Sequence, residues 1–412
     1  MTIFTPEWKV TMGGIEYTNV VLSGVTMTSG RTDIYSQAVA GYCSLSILNL
    51  DESAFTFAVN QGLTLQLKDS TGTYIPVFGG SLTDIEIEII SSGAAGTSSA
   101  ARLTALGALA RLPKALTAGV LSKALDGVQI KEILTDLLVN NWTEVPASLE
   151  WTNYPATTTW ANAENTGLGE IDIGIYELQA RTSDITDMYS LVAALAASGF
   201  GYLYEDAEGR ISYAGADHRQ NYLAVNGYTV ISANQALSSG IRTVTQSGDV
   251  RNDIALKWRG GTETASDDIS IASYGKLSQS ITTTLHNNVD AVSQAQRYLD
   301  LRKYPRAKFD SITFPITSPE LDDATRDKLL NIFMGMPIRI TDLPLNIAGG
   351  QFEGYVEGWT FNVSLNSMSL TINVSPIEFS TVAIYWAQVS PTEEWDTLSS
   401  TLTWEKAIGA VA

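Results

Sequence analysis

Side chains that commonly do chemistry in proteins are scarce in this sequence. It contains two histidines, His218 and His286, and one cysteine, Cys43. His218 follows Asp217, a carboxylate able to orient an imidazole, but no Gly-x-Ser-x-Gly nucleophile elbow accompanies the pair. A polar loop is therefore the favoured place for His218. A lone cysteine cannot form an intramolecular disulfide.

Patterns for metal or phosphate binding are also missing. No Cys or His pair has ligand spacing, and the Asp groups lack the calcium-loop pattern. The acidic run DDATRD at 322–327 predicts the start of a helix, because carboxylates favour that end of the dipole. GVQIKEIL lacks the glycines and the Lys-Ser/Thr pair of a phosphate loop. The sequence predicts no catalytic, cofactor-binding or metal-binding residues and no enzyme.

Two other functions remain open. The pairs Glu144 with Glu150 and Glu164 with Glu170 nominally suit cell-wall glycan cleavage, although any acidic chain supplies such pairs. Aromatic residues concentrated at 142–160 indicate either a carbohydrate-binding loop or, the favoured alternative, the aromatic core of a domain. They are Trp142, Trp151, Tyr154 and Trp160.

Composition limits the partners of the chain. Lys and Arg total 25 against 44 for Asp and Glu, a formal net charge of -19 that disfavours nucleic-acid binding. Only 17% of the 412 residues are charged, Ser, Thr, Gly and Asn are abundant, and Thr, Val and Ile recur in alternating runs. This balance favours sheets with long turns and a surface largely covered by other subunits. The start of the chain lacks a signal-peptide pattern, and the apolar stretch Leu191–Ala197 is far shorter than the ~20 residues that span a bilayer. A soluble protein made in the cytoplasm is expected.

Residues 1–112 are predicted to form an antiparallel β-domain. Their apolar residues alternate with polar ones between Gly and Asp turns. Ser91–Ala101 is predicted to be a long hairpin tip. In the strand at 83–90 three isoleucines face one side and three acids the other, which predicts a half-buried strand. These residues are Ile85, Ile87 and Ile89, and Asp84, Glu86 and Glu88.

Residues 113–239 are predicted to form an inserted α+β domain. An apolar stripe from Val128 to Leu138 predicts one helix, with Asp126 and Gly127 before it as a start signal. A second helix is predicted from about Asp187 to Ser198, and a hairpin over 202–215. Residues 240–378 are again predicted as strands, with a helix at about 289–302, and 379–412 form a tail.

An internal repeat is the most informative feature. LQLKD and FGGSLTDI at 65–69 and 78–85 match IRITD and FEGYVEGW at 338–342 and 352–359. This match indicates a duplicated barrel-like domain with the helical region inserted between the copies. The alternative is that two unrelated hairpins share phenylalanine and glycine by chance. The glycine would allow close backbone approach or a bulge. Matched pairs are Phe78 with Phe352, Gly80 with Gly354 and Leu82 with Val356, and Trp359 ends the second segment.

In AGYCSLSILNLDESAF, VFGGSLTDIEI and FEGYVEGWTFNVSLNSMSLTINVSP, the chain resembles the baseplate hub, or tail-tip hub, proteins of tailed bacteriophages. The resemblance covers 1–112 and 240–378. It implies a β-rich α+β fold with two related tube-like β-barrel domains flanking the inserted domain. It also implies a homotrimer in the virion that adapts a sixfold tail tube to a threefold tip and forms part of the DNA channel.

The implied partners are the distal tail, tape measure and tip or fibre proteins of the same virion, with DNA only in passing and no membrane insertion. Asp84, Glu86 and Glu88 would line the channel, unless they are an ordinary solvated face. The alternatives are a hexameric distal tail protein and a tail-associated protein that binds host glycans or degrades the cell wall.

The C-terminal tail carries Trp386, Trp395 and Trp404 at a spacing of nine residues. Such a tail resembles those of minor tail proteins from phages of actinobacteria, which implies a siphophage with that host. The tryptophans would dock on a neighbouring subunit, or pack against their own domain.

Overall fold

The structure is a computed structural model. The structure describes residues 4–18, 20–34, 36–49, 54–91, 98–139, 168–235, 241, 243–306, 308–309, 311–364 and 367–377.

The N-terminal part is a run of antiparallel strands followed by a short 3-10 helix, Ala108–Lys114. Alternation decides which face is buried: in the fourth strand Cys43, Leu45 and Ile47 are buried and the residues between them are not. The strands are β1 (Trp8–Met12), β2 (Ile15–Tyr17), β3 (Val20–Gly30), β4 (Val39–Asn49), β5 (Gly62–Lys68), β6 (Tyr74–Ser91) and β7 (Ser98–Leu106).

The middle part is an α+β region. Its elements are β8 (Leu116–Thr117), β9 (Ala124–Leu125), α1 (Asp126–Val139), β10 (Leu168–Ile171), β11 (Glu177–Leu178), β12 (Thr186–Asp187), α2 (Met188–Ser198), β13 (Tyr202–Glu205), β14 (Ile211–Ala214), α3 (His218–Asn226) and β15 (Thr229–Ser232). Strands β10, β14 and β13 form a three-stranded sheet, and the predicted hairpin is β13–β14.

Both predicted helices of this region are confirmed. The carboxylate of Asp187 caps α2 by accepting the N–H of Ser190. In α1, Ile130, Ile133 and Leu134 are buried, but Val128 is 43% exposed, so the predicted apolar stripe is wrong at its first residue. No helix in the described ranges is long and apolar enough to cross a membrane.

The C-terminal part returns to strands. Its elements are β16 (Thr243–Val244), β17 (Asp253–Trp258), β18 (Gly261–Ser266), α4 (Asp268–Tyr274), β19 (Ser278–Thr282), α5 (Asn288–Arg302), β20 (Lys308–Phe309), β21 (Ile312–Pro315), α6 (Asp323–Leu330), β22 (Pro337–Thr341), β23 (Phe352–Ser364) and β24 (Ser367–Pro376). Helix α5 packs on the separate sheet β18-β17-β19. The acidic run is the start of α6, capped by Asp322, as predicted.

One large sheet joins the two ends of the chain. Its twelve described strands include the path β15-β22-β23-β3-β4-β7-β6-β5-β1-β2, with β24 beside β23 and β21 beside β24. The link is the antiparallel pairing of β3 with β23. This path is open, and the described strands close no barrel, unlike the two barrels expected. At the edges of the two matched hairpins, β1 pairs with β5 and β15 pairs with β22.

Candidate functional site

The two matched hairpins, β5–β6 and β22–β23, have the same cross-strand register. In each hairpin the phenylalanine lies opposite an aliphatic residue of the partner strand. The glycine two residues after the phenylalanine lies opposite the aliphatic residue two positions earlier in that partner strand. The pairs are Leu65 with Phe78, Leu63 with Gly80, Ile340 with Phe352 and Ile338 with Gly354. By this register Leu63 is equivalent to Ile338. The sequence match of LQLKD with IRITD made Leu65 equivalent to Ile338, so the two alignments differ by two residues. A two-residue offset keeps every side chain on its face.

The phenylalanine ring lies against the glycine two residues later in both hairpins. A Cβ added at Gly80 would lie 2.6 Å from the carbonyl oxygen of Leu106 and 2.9 Å from Cζ of Phe78. At Gly354 the same atom would lie 2.1 Å from the carbonyl oxygen of Ser375 and 2.6 Å from Cζ of Phe352. Neither position admits a side chain, which explains the Phe-x-Gly pattern.

A β-bulge follows at the same place in both strands. The pairing of β6 with β7 shifts between Leu82 and Asp84, and that of β23 with β24 shifts between Val356 and Gly358. Leu82 and Val356, just before the bulges, are fully buried. We call β4-β7-β6-β5 the N-terminal unit and β21-β24-β23-β22 the C-terminal unit, because their strands adjoin in the same order and all pairs are antiparallel.

Beyond the bulge the two strands differ in their surroundings. In β23, Trp359 pairs with Ser29 of β3, and Phe361 and Val363 are 1% and 6% exposed. In β6, the equivalent Ile87 and Ile89 are 61% and 66% exposed, so the half-buried strand predicted there is wrong beyond Ile85, which packs partly against the core. In the ranges that the structure describes, no strand pairs with that edge of β6 beyond Ser81.

The acidic residues of β6 lie on the opposite face from these isoleucines. Asp84, Glu86 and Glu88 are all exposed, and Glu88 forms a 2.9 Å ion pair with Arg102 of β7. Their equivalents in β23 are uncharged: Gly358, Thr360 and Asn362.

Glu357, the residue of the second bulge, is the centre of a buried charge cluster. Its carboxylate accepts hydrogen bonds from Arg31 Nε at 2.7 Å, Arg219 Nη1 at 2.6 Å and Ser375 Oγ at 2.5 Å. Burial alone would raise the pKa of Glu357, but the charges of Arg219 and Arg31 outweigh it and lower that pKa to about 2. The cluster ties the C-terminal unit to the end of β3 and to α3.

Sequence reasoning missed this cluster. The available signal was a glutamate within VEGW, between apolar residues of a strand, where burial demands a cationic partner. Neither partner could be chosen from 25 Lys and Arg residues without the fold.

A second buried carboxylate connects the inserted region to the N-terminal part of the chain through hydrogen bonds. Glu205 of β13 accepts the N–H groups of Gly41 at 2.7 Å and Leu109 at 2.5 Å. Burial raises the pKa of Glu205 to about 7, although these two hydrogen bonds act in the opposite direction. Beside it, a Cβ at Gly79 would lie 2.0 Å from the carbonyl oxygen of Glu208, so the β13–β14 turn contacts β6 backbone to backbone.

His218 begins α3 and is not in a loop, contrary to the prediction. Its Nδ1 lies 2.7 Å from the carboxylate of Asp172, which also accepts the N–H of Gly215. Asp217, the predicted partner, instead accepts from the side chain of Asn221. The sequence could not pair His218 with Asp172, because the two are 46 positions apart.

Glu170 completes a group that sequence spacing did not reveal. One ligand atom each from Glu170, Asp172 and His218 lies within 4.8 Å of the others, and these ligand types suit a divalent cation. Burial raises the pKa of Glu170 to about 7. The role visible in the structure is positional: the Asp172–His218 contact fixes the start of α3, from which Arg219 reaches Glu357.

Several predicted site residues lie outside the described residues. They are the carboxylates Glu144, Glu150 and Glu164, the aromatic group Trp142, Trp151, Tyr154 and Trp160, and the tail residues Trp386, Trp395 and Trp404.

Comparison with solved structures shows which proteins share this fold. The 43 kDa tail protein of prophage MuSo2 from Shewanella oneidensis matches with a TM-score of 0.56 and 13% identity, over 91% of this chain and 98% of that protein. A tail protein from Neisseria meningitidis matches with a TM-score of 0.58 and 11% identity, over 92% and 98%. No protein-family model and no curated protein matches the chain in sequence. At these identities the likeness establishes the fold alone, which the chain shares with these two tail proteins.

Proposed function

We propose that the chain is a structural, non-enzymatic component of a bacteriophage tail, and that it is the homotrimeric hub at the tail tip. The observation that carries the proposal is the presence of two equivalent four-strand units in one chain, with the same strand order, the same register and a bulge at the same position. The shared fold with tail proteins agrees with it.

The two units give this role a physical basis. A trimer of chains with two similar units presents six similar units, which can match a sixfold tube on one side while the complete chain keeps threefold symmetry. The N- and C-terminal units would thus be parts of two tube-like domains, within about 1–112 and 240–378, flanking the insertion at 113–239.

The acidic face of β6 has a place in this proposal. Asp84, Glu86 and Glu88 are exposed together on one face, and such a face on a channel wall would repel the phosphates of passing DNA. Contacts with distal tail, tape measure and tip or fibre proteins follow from the same role. A siphophage of an actinobacterial host remains a prediction from the tryptophan-bearing tail.

Electron microscopy of the purified full chain tests the proposal. The expected class averages are closed rings with a central opening and three large protrusions, formed by the inserted regions, around six similar lobes. A ring with six protrusions would favour a hexameric distal tail protein, and a monomer without a channel would refute the hub. Release of fragments from cell-wall polymers by the intact protein would favour the degrading alternative, and binding to host glycans the adhesion alternative.

A further inference from the structure

The outer edge of β23 is paired with a neighbouring strand, whereas the equivalent edge of β6 has no paired strand among the described residues. Beyond its bulge, β23 is bonded to β3, with Trp359 opposite Ser29 and Thr360 opposite Thr28. The residues equivalent to Trp359 and Thr360 are Ile85 and Glu86, two and three positions after Thr83 in the matching bulge. No described strand lies opposite them.

The open edge of β6 lacks two of the usual protections against pairing, lysine and proline, although it carries a bulge at Thr83 and the acidic residues Asp84, Glu86 and Glu88. Edge strands commonly carry lysine, proline or an inward charge that prevents association. From Leu82 to Ser91 there is no lysine and no proline, and Ile87, Ile89 and Ile90 are each more than half exposed. Unpaired backbone groups beside exposed isoleucines favour the addition of another strand.

The register identifies the strand that would fit. Strand β3 lies beside β4, with Thr28 opposite Tyr42, and β16 lies beside β20, with Thr243 opposite Phe309. Phe309 precedes Ile312 by three residues, as Tyr42 precedes the equivalent Leu45. Strand β16 therefore lies beside β20 as β3 lies beside the equivalent strand β4 of the N-terminal unit.

Within one chain these two edges are not paired with each other. Strand β16 pairs with β20 in a separate two-stranded sheet, and β20 comes just before β21 in the chain. From β21 the large sheet continues through β24, β23, β3, β4 and β7 to β6, so these strands lie between β16 and the open edge of β6. A second molecule offers its β16 end to the β6 end of the first. Repetition of such a head-to-tail contact closes a ring.

We propose that the edge of β6 at Ile85 and Glu86 pairs antiparallel with β16 of a second molecule of this chain, with Ile85 opposite Val244 and Glu86 opposite Thr243. This contact between two molecules would have the same geometry as the pairing of β3 with β23 within one molecule. The inference rests on the proposed function, since it names the surface through which hub subunits would join.

Disulfide trapping tests the register. Directly opposed residues of antiparallel strands have Cβ atoms about 4.5–5.5 Å apart, near enough for a disulfide after a small adjustment. In E86C/T243C, mild oxidation of the full chain should give covalent multimers that reductant returns to monomer. The native Cys43 is fully buried, which keeps it out of the reaction.

The controls separate this contact from random collisions. Neither E86C nor T243C alone should give multimers, and E86C/S278C, which pairs Glu86 with an exposed position on the separate sheet, should give none. Monomer throughout, even at the highest attainable concentration, would overturn the proposal, as would equal trapping in the control pair. A crosslink confined to the monomer band would overturn it too.

A charge-insertion pair gives an independent readout. The variant I87E/I89E should reduce the solution mass measured by light scattering to that of a monomer, with an unchanged circular dichroism spectrum. The matched control I269E alters an isoleucine of α4 that is 72% exposed and should keep the mass of the natural protein. Retention of that mass by I87E/I89E would contradict the proposal.

The two proposals fail in different ways. A threefold ring that forms without the E86C/T243C crosslink would keep the hub and exclude this edge. Efficient crosslinking into open filaments or sixfold rings would keep the edge and exclude the hub.

Discussion

Strands β6 and β23 have the same register and the same bulge but opposite surroundings. After the bulge, β23 is covered by β3 and its aromatic residues are buried, whereas the isoleucines of β6 at equivalent positions are exposed. The bulge residues differ as well: Glu357 is fixed by two arginines, and Thr83 only bonds its neighbours. Register is thus set by local sequence, while burial depends on which strand lies alongside.

The largest effect is expected at the bulges. E357Q leaves the guanidinium groups of Arg31 and Arg219 buried against a neutral amide, so the free energy of unfolding should fall by about 3–5 kcal/mol. T83A in the equivalent bulge should change it by less than about 0.5 kcal/mol. Urea unfolding of both variants measures the difference, and equal losses would show that the bulges are equivalent in energy.

Truncating a side chain beyond the bulge should lower the free energy of unfolding strongly in β23 and very little in β6. F361A removes a buried ring beside β3, so a loss of about 3–5 kcal/mol is expected. I87A, at the equivalent exposed position, should cost at most about 0.5 kcal/mol in dilute monomer. Unfolding at low protein concentration checks both, and a large loss in I87A would mean that the chain itself covers β6.

The two carboxylates that hold the inserted region should respond to pH with opposite signs. The folded-state pKa of Glu357, about 2, is below its ordinary 4.5, so its contribution of roughly 3 kcal/mol is present above pH 4.5 and is lost as pH falls toward 2. For Glu205 the folded-state pKa is raised to about 7, so stability is lost as pH rises from 4.5 through 7. Stability–pH profiles of E357Q and E205Q should each lack the corresponding slope. A slope that persists in either variant would assign it to another group.

The smallest difference between the two strands is expected at the glycines. Because each added Cβ meets a backbone carbonyl and the ring of the preceding phenylalanine, G80A and G354A should each cost about 1–3 kcal/mol. Thermal unfolding of the two variants makes the comparison. A loss in only one of them would mean that the hairpins relax differently.

The sequence predicted what depends on local pattern. The helices α2, α5 and α6, the β13–β14 hairpin and the strand periodicity all follow from spacing and turn residues. It failed where the outcome depends on a distant segment. Alternation placed Ile87 and Ile89 on a buried face, but burial there requires a strand that the described chain does not supply. The sequence does not show which of many charged residues lie close together in space. The contacts of Glu357 with its arginines, and of Asp172 with His218, were therefore found only in the folded structure.

The pairing of β3 with β23 has a consequence for biosynthesis. Arg31 at the end of β3 and Glu357 are 326 positions apart, so most of the chain is synthesised before the edge of β3 meets its partner. During that interval the nascent chain carries an open edge on β3 as well as on β6, both able to recruit neighbouring polypeptides. Truncated translation products ending before Phe352 would keep both edges open. We expect such fragments to aggregate, and the complete chain to depend on chaperones until its last strands are made.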